Sequence, residues 1–247
     1  MEKLIEIIQK HYTIVSIEEI EKNDPMYQAL FFLYDTLKNK EVFLPLVIAN
    51  ALICYQLSSN GESYWEEFAK EAAKYEFQKL RDVYLFFIDF LPRSQWNKRL
   101  WETKIERLKK LDHFLGNFYY KQKFYSKNLI KFQKDIAKAM IQTPSAKTIV
   151  FSVKMFWYGS RIRFQEFIPF PREIPIPIDS RLQLIFEHTQ KDESENIESF
   201  YQKLSERLDI APLHLDAILW LNHKFIIEKV LQWLSEKVET DIGFEEA

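Results

Sequence analysis

The chain of 247 residues is long enough for one large domain or two small ones, and 47% apolar with 28% charged residues is an ordinary globular balance. Four glycines leave no room for a glycine-rich phosphate loop, and the single cysteine, Cys54, excludes a disulfide framework, a cysteine-built zinc site or an iron–sulfur cluster within one chain. A net charge of -2 excludes a uniformly basic protein, while 16% aromatic residues suit a helical core by default and base stacking as the alternative.

The N-terminal MEKLIEIIQKHY lacks the regions of a signal peptide, and no run approaches a membrane span, so a soluble, cytoplasmic protein is expected. Leu4, Ile7, Ile8 and Tyr12 repeat at helical spacing. Asp24 and Pro25 read as the N-cap and first-turn proline of a helix through PMYQALFFLYDTL. A buried helix is predicted over 44–58, with Gly61 as its terminator. Ser63 reads as the cap of the next helix, with Glu66 completing a capping box. Further helices are predicted over 80–91, 95–115, 125–141, 144–158, 180–189, 195–207 and 212–237. No strand alternation is found, so the class is all-α. Residues 169–177, PFPREIPIP, hold four of the nine prolines and read as a rigid extended connector where two helical subdomains meet.

Charge is uneven. Residues 119–163 hold ten lysines and arginines against one acid, Asp135. Such a segment suits a polyanion such as DNA, and a solvated helix face explains it as well.

Several residues have chemical potential. In TPSAKTIVFSVKMFWYG, Thr143 reads as an N-cap and Pro144 as the first helical residue, which puts Lys147 at the end of the first turn. The positive end of the helix dipole, with burial beside Ile149, Val150 and Phe151, disfavours an ammonium ion there. An amine must be neutral to attack carbon, so the position suits a nucleophile; an exposed lysine on a basic helix is the alternative. Phe151, one turn on, offers a face to a nucleobase or to the core. Asp179 precedes SRLQLIF as an N-cap whose fixed anion could also stabilise positive charge. Asp216 and Trp220 share a helix face, where the acid could take the N1–H and N2–H donors of guanine while the indole stacks. Trp65 brings an indole N–H, and Gln28 an amide within an otherwise apolar helix. Structural roles explain each of these too. The five histidines show no metal spacing, so neither metal nor cofactor is expected.

The segment AKTIVFSVKM followed by IPIPIDS, together with DPMYQAL, NGESYWEEF and LHLDAILWLNHK, resembles the helix-hairpin-helix DNA glycosylases. More closely, it resembles the archaeal 8-oxoguanine DNA glycosylase family known as AGOG. The likeness extends over most of the chain. Thirty-two positions separate Lys147 from Asp179, longer than in the broader superfamily and as in the AGOG branch. The usual hairpin is glycine-rich, whereas TPSAK has no glycine, again as in that branch.

The resemblance implies two helical subdomains, 1–40 with 175–247 and 41–174, the latter carrying the hairpin, with DNA across a cleft between them. It implies a bifunctional glycosylase and abasic-site lyase acting on damaged double- or single-stranded DNA, and a monomer is expected. Lys147 would be the nucleophile and Asp179 the essential acid. Phe151 and Trp220 would sandwich the extruded base, and Gln28, Trp65 and Asp216 would read its edges. Two alternatives stand beside it: the same scaffold serving another damaged base, which Lys147 argues against, and a non-catalytic helical module that binds nucleic acid or a partner helix.

Overall fold

The structure, a computed structural model, describes residues 1–12, 14–189 and 195–242, and no strand occurs among them. None of the helices among the described residues is long and apolar enough to cross a membrane. The chain divides into two compact units, one of Met1–Glu21 with Ile174–Ala247 and one of Lys22–Glu173. That second boundary falls inside the proline-rich connector, which carries no helix between Gln165 and Asp179.

The central unit begins with α3 (Pro25–Thr36), whose Asp24 cap accepts the Met26 N–H at 2.8 Å, as the sequence predicts. α4 (Phe43–Ile53) is buried along its whole length. A helix apolar on every side has no face to give to water and becomes the centre of the unit. It ends well short of residue 58, because the Cys54 N–H turns back to the Ala51 carbonyl and Gln56 adopts φ 47. α5 (Gly61–Lys74) corrects the predicted cap: Asn60 Oδ1 accepts the Ser63 N–H at 2.9 Å, so Asn60 caps and Gly61 opens the helix instead of ending the previous one. α6 (Arg81–Arg93) follows.

The single helix expected over 95–115 is broken. Glu67 accepts the Ser94 hydroxyl at 2.7 Å and the Gln95 N–H at 2.6 Å, which pins a turn before α7 (Trp101–Lys109) and α8 (Asp112–Tyr119). After α9 (Gln122–Ser126), α10 (Leu129–Met140) and α11 (Lys147–Phe164) form a helical hairpin. α11 packs along α4, and at Gly159 a Cβ would stand 2.8 Å from Leu44 Cδ2. The sequence reading groups residues 1–40 with the C-terminal region, whereas α3 packs against α5 and α11 inside the central unit.

The terminal unit contains α1 (Glu2–His11), α2 (Ile14–Lys22, its last residue at the boundary), α12 (Ser180–Thr189), α13 (Ile197–Leu208) and α14 (Pro212–Ile242). Its core joins Leu4 and Ile8 of α1, Leu182 and Ile185 of α12, Phe200 and Leu204 of α13, and Leu215 and Ile218 of α14. These are the apolar positions of amphipathic helices, spaced at three and four.

Candidate active site

In the central unit, α10 ends at Ile141 in the left-handed conformation, with the Gln142 N–H on the Ala137 carbonyl at 3.0 Å. The chain turns through Thr143–Ala146, and α11 opens at Lys147 with Ala146 as an N-cap that offers no side-chain bond. The helix thus starts three residues later than the sequence suggests. Lys147 is its first residue, and it is exposed, not buried beside Ile149 and Val150. Placement at the uncapped positive end of the dipole is retained, while the expected burial is not.

Phe151, one turn further, is half-buried, and its ring lies 6.2 Å from that of Trp65, tilted at 66°. Trp65 sits on the buried stripe of α5 with Tyr64 and Phe68, fully inaccessible, and its Nε1 has no hydrogen-bond partner among the described residues. The nearby Cys54 thiol is pushed up to about 12 by burial, so at neutral pH it offers only a weak sulfur acceptor. Gln28 is exposed in the first turn of α3 and donates through Nε2 to the Lys22 carbonyl at 2.5 Å. It lines an open cleft of about 620 Å³ together with Asn60, Glu62 and Ser63 at the start of α5. An amide whose N–H is spent on the backbone keeps its oxygen for another donor.

The sequence reading missed the surroundings of Lys154. Lys154 counts there among the surface cations, yet it is buried, with Nζ 3.9 Å from Asp24 Oδ2, and the Tyr158 hydroxyl donates to the same oxygen at 3.1 Å. Burial pushes the Asp24 carboxyl up, against the pull of Lys154, the Met26 N–H and Tyr158. The signal available in the sequence was spacing: Lys154 falls two turns after Lys147, on the same side of α11. Arg161 is buried as well and Arg163 half-buried, which leaves seven of the ten cations of 119–163 exposed: Lys121, Lys123, Lys127, Lys131, Lys134, Lys138 and Lys147.

In the terminal unit, Asp179 caps α12 as predicted, with Oδ1 accepting from the N–H groups of Arg181 at 3.0 Å and Leu182 at 3.1 Å. Its second oxygen accepts the Trp220 indole N–H at 2.9 Å, a contact across 41 positions that local pattern cannot reveal. The Arg181 guanidinium lies 3.9 Å from the Trp220 ring centre, over one face of the indole. Asp216 is buried one turn before Trp220. Tyr201 donates to the Leu182 carbonyl at 2.5 Å, and burial raises its phenol, with the charges of Asp179 and Asp216 adding to the rise. Asp179, Asp216 and Trp220 thus gather in one unit, and Lys147, Phe151, Trp65 and Gln28 belong to the other.

The family model AGOG, described as N-glycosylase/DNA lyase, matches residues 6–245. The chain belongs to the AGOG family. An N-glycosylase/DNA lyase of Thermococcus kodakarensis is 40% identical over 223 residues, which is 89% of this chain and 83% of that one. One from Methanococcus maripaludis is 36% identical over 224 residues, 89% of this chain and 87% of its own. Among solved structures, the 8-oxoguanosine complex of the 8-oxoguanine DNA glycosylase of Pyrobaculum aerophilum shares the fold, with a TM-score of 0.78, 24% identity, and coverage of 90% and 87% of the two chains. As an AGOG protein, the chain is a bifunctional N-glycosylase/DNA lyase with an all-helical, helix-hairpin-helix architecture. That places it among enzymes and sets aside the non-catalytic binding module.

Proposed function

We propose that this AGOG protein excises 8-oxoguanine from DNA through a Schiff base on Lys147. The observation that carries the reading is an exposed lysine at the first position of α11, one turn before an aromatic ring that abuts Trp65. The related enzyme of Pyrobaculum aerophilum, bound to 8-oxoguanosine, supports the choice of lesion. The protein acts as a DNA-associated monomer on damaged DNA, double-stranded or locally single-stranded, with the exposed lysines between Lys121 and Lys147 neutralising phosphates.

The damaged nucleotide leaves the stack at a cost of a few kcal/mol, repaid by backbone contacts. The neutral amine of Lys147 attacks the sugar C1′, the base departs with the glycosidic electron pair and takes up a proton, and Asp179 stabilises the positive charge that develops on the sugar. Loss of the amine proton and opening of the sugar ring give the imine. Abstraction of a C2′ proton then expels the 3′ phosphate, which cuts the strand.

Discrimination rests on one donor. 8-Oxoguanine carries an N7–H that guanine lacks, and Gln28 Oε1 is the acceptor assigned to it, since the Gln28 Nε2 already serves Lys22. Trp65 Nε1, beside the weak sulfur acceptor of Cys54, is the donor assigned to a base carbonyl. Phe151 and Trp220 are the two aromatic rings assigned to stack on the base. Asp216 takes the N1–H and N2–H donors.

Base release from duplexes carrying one 8-oxoguanine, one guanine or another oxidised or alkylated base tests this reading. Gln28→Ala lowers the preference for 8-oxoguanine over guanine by about 5- to 100-fold, the worth of one hydrogen bond made or left unmade. Asp216→Ala weakens excision of 8-oxoguanine more than cleavage at an abasic site. Equal losses on the two substrates, or a stronger activity on a different lesion, contradict the assignment.

A further inference from the structure

The hairpin before α11 turns without glycine. Ile141 stands at φ 56, where a β-branched residue is strained, and it is 81% exposed, so burial does not compensate. A strained conformation persists only where its surroundings over-determine it. Part of the constraint is local: Gln133 Nε2 donates to the Pro144 carbonyl at 3.0 Å.

A further part comes from Arg107 on α7, half-buried with its guanidinium 5.7 Å from the Tyr55 ring centre. Its Nε donates to the Leu52 carbonyl at 2.9 Å, in the last turn of α4, where carbonyls have no partner within the helix. Its Nη2 donates to Gln142 Oε1 at 2.5 Å and to Thr148 Oγ1 at 2.9 Å. The Thr148 hydroxyl donates in turn to Gln142 Oε1 at 3.2 Å. Gln142 and Thr148 stand at the two ends of the turn, and Lys147 immediately precedes Thr148.

We propose that Arg107 is a positioning residue for the lyase chemistry: its planar fork ties the end of α4, the hairpin and the first turn of α11 into one frame and thereby fixes where Lys147 presents its amine. The proposal rests on Lys147 as the nucleophile. A lysine at position 107 keeps the charge but cannot reproduce the fork, because an ammonium is a single point of donation.

The test uses the full chain and a duplex with a preformed abasic site, which needs the amine but no base pocket. Borohydride trapping under single-turnover conditions gives the rate of imine formation, and binding of a duplex with a tetrahydrofuran abasic analogue gives the affinity. Arg107→Lys slows trapping about tenfold or more while the affinity stays within about threefold, since misplacing a reacting group by ~1 Å is that costly to the rate and not to binding. Thr148→Val, close in shape and lacking only the hydroxyl, slows trapping in the same direction, and the double variant falls no further than Arg107→Lys alone. If Arg107→Lys does not fold, Thr148→Val decides by the same split of rate from affinity. Unchanged trapping, losses that track affinity, or additive losses in the double variant overturn the proposal. Trapping that survives Lys147→Gln removes the nucleophile assignment, and the positioning role with it.

Discussion

Asp179 is bonded as a structural residue and proposed as a catalytic one, and substitution separates the two. Asp179→Ala removes both cap bonds on α12 and the bond from Trp220. Loss of the cap costs about 1 kcal/mol. The indole bond ends on a carboxylate, and losing it costs about 1.5–3 kcal/mol, nearer the lower figure because Asp179 is half-buried. The sum is about 2–4 kcal/mol, or ~5–15 °C in Tm for a chain of this size. Asp179→Asn keeps Oδ1 and the cap but turns an amide N–H₂ toward the indole N–H, donor against donor, at about 1–2 kcal/mol. Trp220→Phe removes that indole donor and keeps an aromatic ring under Arg181. In a cycle of Asp179→Asn with Trp220→Phe, followed by calorimetry and denaturant unfolding, the double variant costs less than the sum of the singles. Additive costs, or an Asp179→Ala protein as stable as the parent, refute the bonding described. Base excision is lost in both Asp179 variants whatever their stability, and an active Asp179→Asn protein would confine the residue to capping.

Three further outcomes are expected. Gly159→Ala gains about 1 kcal/mol of helix propensity but drives a Cβ to 2.8 Å from the buried Leu44, an overpacking of about 1–3 kcal/mol, so Tm falls by a few degrees; a rise would show that Leu44 yields freely. Ile141→Gly relieves the left-handed strain at an exposed site and stabilises the protein by about 0.5–1 kcal/mol in denaturant unfolding, whereas a clear loss of stability would contradict the strain argument. Lys104 is fully buried beside Asn97, and burial lowers its pKa from 10.5 to about 8. The unfolded chain then binds more protons than the folded one between those values, so this group's contribution to stability rises with pH across that window by about 2–3 kcal/mol. Cys54, pushed up to about 12, acts in the opposite sense, so the comparison is between the parent and Lys104→Met. Equal pH slopes in the two proteins would refute it.

The parts of this structure that were legible in the sequence are those set by a few neighbouring residues. Asp24 with Pro25, and Asp179 before SRLQLIF, announce helix starts through local chemistry, and the structure keeps both. Asn60 and Ser63 are both good caps within one turn. The choice fell to Asn60 in a stretch where Ser58 is tied to Trp96 and Glu67 holds the 94–96 turn, bonds made across distant positions. The place of Lys147 near the start of α11 was legible but its exposure was not, because the turn that exposes it is held by Arg107, forty residues earlier. The burial of Lys154 follows from Asp24, and the holding of Trp220 from Asp179, partners that no helical period connects. Residue types and spacings thus pointed to the candidate chemistry, while the long-range bonds that orient it required the fold.

The central claim is that Lys147 forms the covalent intermediate. Borohydride trapping on a duplex with one 8-oxoguanine, against a guanine control and the Lys147→Gln protein, tests it most directly. A Schiff base on Lys147 gives a protein–DNA adduct only with the unaltered chain and the oxidised base. An adduct of equal yield with Lys147→Gln, or base release by the unaltered chain with no adduct, would contradict it.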